Sequence, residues 1–193
     1  MWRFRSGCPV RPAGQKVLLL IDWDNFRSGL QTRFGSGKIF LEQRIRRLET
    51  WVRGELGELW GDHGFVFAHE YLNEAFKKMC VRNSLRTFTC PKRDTPDSNG
   101  SMDSVDEILI WFGENMLNHP DVGFLCIVSG DKHYIPLMEK ANKAGVRVAF
   151  VVPSVTCFSK TPETIAKMMR LTGVHPVTEK KMFVRLDELD IAE

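Results

Sequence analysis

Val17-Leu-Leu-Leu-Ile21 is an unbroken apolar run ended by polar residues, the pattern of a strand covered on both faces of a parallel sheet. Beyond a Gly/Ser-rich turn at Gly35 to Gly37, Leu41, Ile45, Leu48, Val52 and Leu56 recur at helical spacing. They predict an amphipathic helix whose other positions include Arg44, Arg46, Arg47 and Arg53. Phe65 to Tyr71 reads as a second strand, Glu74 to Asn83 as a helix, and Arg86 to Cys90 as a short third strand. Pro91 to Ser101, with two prolines and Asn99-Gly100, is the clearest loop, and long enough to be functional. Ser104-Val-Asp-Glu107 has the form of a capping box opening an apolar helix to about Leu117.

Phe124 to Val128 predicts a fourth strand, Tyr134 to Ala144 a helix stopped by Gly145, and Val146 to Val152 a fifth strand. Pro162 suits the first turn of a last amphipathic helix ending near Leu171. Strands alternating with helices give a three-layer α/β/α sandwich with a mainly parallel, doubly wound sheet of about five strands. The expected organisation is a flexible basic extension over 1–14, one domain over 15–175, and a tail over 176–193. That tail adds a short strand or turn around Met182 to Leu186.

Composition narrows the class without naming a function. The 193 residues are 43% hydrophobic and 26% charged, which fits one globular core. A formal net charge of +3 permits a nucleic-acid partner but does not demand one. Cys8, Cys80, Cys90, Cys126 and Cys157 are odd in number and widely spaced, with no zinc-type arrangement, so reduced thiols and a cytoplasmic setting are expected. No apolar run approaches the length that spans a bilayer. The first fourteen residues carry Arg3, Arg5 and Arg11 but lack the apolar stretch of a secretory signal.

Candidate chemistry gathers at strand ends. In an open parallel sheet, functional groups collect beyond the carboxyl ends of the strands, near the point where strand order reverses. Asp22 and Asp24 follow the first strand, and Asp131 follows the fourth within Val128-Ser-Gly-Asp131. Asp106 would approach the same edge from the first turn of its helix. Carboxylates so close repel unless a cation neutralises them, and oxygen ligands favour Mg2+ or Mn2+. The chemistry that follows is metal-assisted phosphodiester hydrolysis. Each residue also has a structural reading. Asp106 sits where any helix favours an acid, Asp24 caps a turn or faces solvent, Asp103 is a loop or cap residue, and Asn25 is a turn former or an orienting group.

Leu18-Leu-Leu-Ile-Asp22-Trp-Asp-Asn25, Val105-Asp106-Glu-Ile-Leu109 and Ile127-Val-Ser-Gly-Asp131, running on through Pro136-Leu137 to Ala144-Gly-Val-Arg-Val148, resemble the NYN family of PIN-like domains. That family includes LabA-type proteins and the nuclease domain of limkain. The blocks occur in the family's order and span about Val17 to Leu171. The resemblance implies a PIN-like Rossmannoid fold and Mg2+- or Mn2+-dependent ribonuclease activity. By motif position it implies a metal site of Asp22, Asp24, Asp106 and Asp131, with Asn25 joining Asp22, Asp106 and Asp131 in catalysis. Ser129, Lys132 and His133, with Lys92 and Arg93 from the long loop, would meet the RNA. Where the family usually continues to a second Asp two residues after the first, this chain has Asp131-Lys132-His133-Tyr134. That departure lowers the local negative charge and with it the expected hold on a metal.

Two other functions compete. A PIN-like domain without catalysis would hold RNA or a protein partner, including another copy of itself, in the same cleft. Arg44, Arg47, Lys77, Lys78, Arg82 and Arg86 would then contact phosphates, and Trp23, Phe26 and Trp111 would stack on bases. A phosphatase of the haloacid-dehalogenase type would use Asp22 as nucleophile and Asp24 as acid. However, Phe26 stands where that superfamily has Thr or Val, and no clear lysine block precedes Gly130. No glycine-rich dinucleotide fingerprint or phosphate loop is present.

Overall fold

The computed structural model describes residues 16–34, 41–69, 74–91, 103–154, 161–174, 182–186 and 189. Six strands form one sheet: β1 (Lys16–Asp22), β2 (Gly64–His69), β3 (Leu85–Cys90), β4 (Val122–Val128), β5 (Arg147–Val152) and β6 (Phe183–Arg185). Their order is β3-β2-β1-β4-β5-β6 and every pairing is parallel. About five strands were expected. The sixth, a three-residue strand identified by its pairing of Val151 with Val184, lies where a short strand or turn was expected around Met182 to Leu186.

Strand alternation sorts the core into two layers. Val17, Leu19 and Ile21 of β1 point to one face, and Leu18 and Leu20 to the other, all of them buried. On the first face lie α1 (Trp23–Phe34), α2 (Leu41–Trp51) and α3 (Glu74–Arg82), contributing Trp23, Phe26, Leu30, Ile45, Leu48 and Met79. On the second lie α4 (Ser104–Met116), α5 (Ile135–Lys143) and α6 (Pro162–Leu171), contributing Val105, Leu109, Leu137, Met138, Ala141 and Met168. Such a strand, buried on both sides, explains why β1, β4 and β5 read as continuous apolar runs.

Several local expectations change. The chain from Trp23 to Phe34, for which the sequence pattern predicted no element, is helical. Asn25, Ser28 and Gly29 mask its propensity, but Trp23, Phe26 and Leu30 are buried along one face and tertiary packing decides the outcome. Trp23 and Phe26 stack on each other, with Phe76 against Trp23, so neither is available to a base. Trp111, by contrast, is 65% exposed. The expected capping box at Ser104 shifts by one residue. Asp103 is the N-cap of α4, its carboxylate accepting from Asp106 N at 2.9 Å. The Ser104 hydroxyl instead donates to the Pro91 carbonyl, and that bond removes it from capping.

The predicted helix to Leu56 ends in a π-helical turn over Val52–Leu56, closed by Gly57 at φ 123°. Gly145, at φ 74°, stops α5 as expected, with Val146 N bonded back to Ala141 O. Strand β2 is seen as far as His69, so Glu70 and Tyr71 lie outside the described residues. The same holds for the Gly35 to Gly37 turn and for most of the Pro91 to Ser101 loop, including Lys92 and Arg93. Among the described residues, no helix is long and apolar enough to cross a membrane.

Candidate metal centre

Strands β1 and β4 are neighbours, with Ile21 paired to Val128, and the chain leaves them toward opposite faces of the sheet. This is the topological switch point, where the crevice of a doubly wound fold opens. Asp22 ends β1, and Ser129, Gly130 and Asp131 follow β4. Capping determines much of the local geometry. Asp22 Oδ1 accepts from Asn25 N at 3.0 Å in the first turn of α1. Asp131 is the N-cap of a 3-10 turn over Lys132–Tyr134, its Oδ1 accepting from His133 N at 3.0 Å. Acids that answer free N–H groups at helix starts are favoured there before any catalytic role is considered.

Asp22 is 4% exposed and accepts three hydrogen bonds. Besides Asn25 N, its Oδ2 accepts from the Ser129 hydroxyl at 3.0 Å and from the Tyr134 hydroxyl at 3.0 Å. Ser129 Oγ in turn accepts from Asp131 N at 3.1 Å, and Asn25 Oδ1 accepts from Gly130 N at 2.9 Å. Two side chains at the end of β1 therefore clamp the loop after β4. Burial pushes the Asp22 carboxyl up to about 7; the Asn25 backbone bond opposes this, the Asp106 charge adds to it, and the two hydroxyl donors offset part.

Asp106, Asp131 and His133 form the more open part of the site. His133 Nδ1 lies 2.9 Å from Asp106 Oδ2 and 3.3 Å from Asp131 Oδ1. The three residues each offer a ligand atom, and all three atoms lie within 4.8 Å of one another. Burial holds the Asp106 carboxyl above its ordinary range; bonds from Tyr134 and His133 oppose that, and the Asp103 and Asp131 charges reinforce it. Two carboxylates and an imidazole converging on one point are a donor set that fits a small divalent ion. Tyr134, fully buried, links the two parts: its hydroxyl donates to Asp22 and also neighbours Asp106. Burial and both carboxylates drive its ionisation well above the usual range, so it remains a neutral donor.

The remaining candidates separate from this point. Asp24 turns to β2, where its Oδ2 lies 2.7 Å from His69 Nδ1 and accepts from His69 N at 3.2 Å. Lys132 is exposed beside the cluster. Some of the basic helix positions are matched by acids: Arg46 and Arg82 meet Glu42, Arg53 meets Glu49 and Glu58, and Lys77 meets Glu74. Sequence reasoning missed two participants. His69 stands at a strand end, the same signal that singled out Asp22 and Asp131, and that rule would have found it. A buried aromatic opening a helix reads as core, so nothing in the sequence marked the Tyr134 hydroxyl.

No protein-family model matches the chain, and no curated protein matches it. Among solved structures, the chain is similar to a crystal structure of a protein of unknown function from Vibrio parahaemolyticus. The TM-score is 0.65 at 14% identity, covering 93% of this chain and 98% of that one. A PLP-bound putative aminotransferase from Clostridium difficile also aligns, over 67% of this chain and 40% of its own at 10% identity, but its TM-score of 0.21 carries no weight. What the comparisons establish is the fold: a six-stranded, all-parallel α/β sheet flanked by helices, in a length close to that of the Vibrio protein.

Proposed function

We propose that the chain is a metal-dependent ribonuclease of the NYN, PIN-like type, acting on RNA in the cytoplasm. The observation that carries this reading is the convergence of Asp106, Asp131 and His133 at the carboxyl edge of β1 and β4, backed by Asp22. A bound Mg2+ or Mn2+ would activate water and stabilise charge on a phosphodiester oxygen. The chain's own residues do the rest. Asp106 and Asp131 would hold the ion, while Ser129 and Tyr134 fix the Asp22 carboxyl and Asn25 keeps the Gly130 turn in register. Lys132, with Lys92 and Arg93, supplies positive charge for the RNA backbone.

Labelled single-stranded RNA incubated with Mn2+ or with EDTA tests the proposal. Wild type should cleave in Mn2+, and both EDTA and Asp131→Asn should abolish cleavage. Equal cleavage by wild type and variant would end the nuclease reading. One observation favours a second reading, a domain that binds RNA or a protein partner without cutting. The His133 imidazole already lies against Asp106 and Asp131, so both carboxylates have a protein partner at the point an ion would take. RNA retention with no metal-dependent cleavage would support it. The phosphatase reading loses ground, because a nucleophilic carboxylate must reach phosphorus and Asp22 is buried with both oxygens already hydrogen-bonded.

A further inference from the structure

The geometry points to His133 as the residue that sets metal identity, making this centre selective for a first-row transition ion bound through Nδ1 rather than for Mg2+. The inference rests on the metal-site reading above and deepens it. His133 Nδ1 faces Asp106 Oδ2 at 2.9 Å and Asp131 Oδ1 at 3.3 Å. Both carboxylates therefore meet the ring at one nitrogen. The distances have a second meaning. Ligand atoms around an ion with bonds of about 2.1 Å stand about 3.0 Å apart along the edges of an octahedron. A cation bound at that point therefore keeps His133 Nδ1 close to its present distance from each carboxylate.

The backbone holds the imidazole in this position. Asp131 Oδ1 caps His133 N, and Asp131 N is itself held by Ser129 Oγ, so the two ligands sit on one short, bonded turn. The turn runs directly into the fully buried Tyr134, which prevents the segment from swinging outward. An imidazole nitrogen is a better donor to Mn2+, Co2+ or Zn2+ than to Mg2+, which seeks oxygen ligands and retains its waters. An acid at position 133 would give three carboxylates and a hard site. His133 exchanges one of them for a neutral, softer donor.

The test uses the full chain, stripped with chelator, and measures binding rather than turnover. Mn2+ and Mg2+ affinities are obtained by calorimetry for wild type and His133→Asp. The ratio of the two affinities should fall roughly tenfold or more in the variant, the scale on which even outer-sphere partners act. Pulsed EPR of Mn2+ bound to wild type should show coupling to an imidazole nitrogen, a signature that does not depend on whether the variant folds. Mn2+ bound without nitrogen coupling, or a ratio unchanged by His133→Asp, would overturn this inference and leave the metal site standing. Absence of binding by either ion would remove the metal site itself, and the inference with it.

Discussion

The ends of β1 and β4 carry the same residue type in the same kind of place, yet Asp22 and Asp131 live differently. Asp22 is buried and accepts three hydrogen bonds. Asp131 is half-buried, caps one turn, and turns an oxygen toward His133 and Asp106. Position at a strand end therefore decides where an acid sits, and the donors around it decide what it does. Asp22 organises the two loops, whereas Asp131 belongs to the group that can take up a ligand.

The largest test of that contrast is thermodynamic. Asp22 has a folded-state pKa of about 7 against an ordinary 3.8, so the native state binds its proton more tightly than the unfolded state does. The stability this gives is fully present below about pH 4 and is lost as pH rises through about 7. The amplitude is on the order of 4 kcal/mol. Asp22→Asn occupies the same space without a charge. In urea denaturation with chelator present it should be the more stable protein at pH 8, with the advantage vanishing near pH 4. A wild type that gains stability from pH 4 to 7 while the variant stays flat would show that Asp22 is not the strained member of the pair.

A smaller effect is expected where the two halves join. Tyr134→Phe deletes the one hydroxyl that reaches both Asp22 and Asp106 and leaves the ring in place. Loss of a buried bond to a carboxylate should cost about 2 kcal/mol. Ser129→Ala removes a donor to Asp22 and the acceptor of Asp131 N, at a cost of about 1.5 kcal/mol. If the two losses add in the double variant, the two hydroxyls act independently. A shortfall from additivity in that double-mutant cycle would show one network spanning both strand ends.

Much of this arrangement was legible along the chain, for identifiable reasons. Continuous apolar runs marked β1, β4 and β5 because strands buried on both faces leave no polar alternation. Their adjacency put Asp22 and the Asp131 turn at one edge, as expected for a doubly wound order. His133 was visible as an imidazole where the resembled family has an acid. What stayed hidden depends on packing across the sheet. α1 was not predicted because Asn25, Ser28 and Gly29 interrupt the pattern of Trp23, Phe26 and Leu30 until those three meet β1 and α3. The depth of Asp22, and the Tyr134 hydroxyl 112 positions away that reaches it, follow from tertiary contact alone.

The smallest effect concerns an acid that caps without joining the site. Asp103 lies three residues before Asp106, and its carboxylate accepts from Asp106 N, fixing the start of α4. Its role is that of any N-cap, so Asp103→Ser should be nearly neutral, while Asp103→Ala should cost about 1 kcal/mol in urea denaturation. Asp131 also caps a turn, but its oxygen has a second partner in His133 Nδ1. Mn2+ calorimetry separates the two: affinity should survive Asp103→Ser and collapse in Asp131→Ser, although serine caps both turns. Equal loss in both variants would mean that α4 placement, rather than the Asp131 carboxylate, governs the metal, and the division between capping acid and ligand acid would fail.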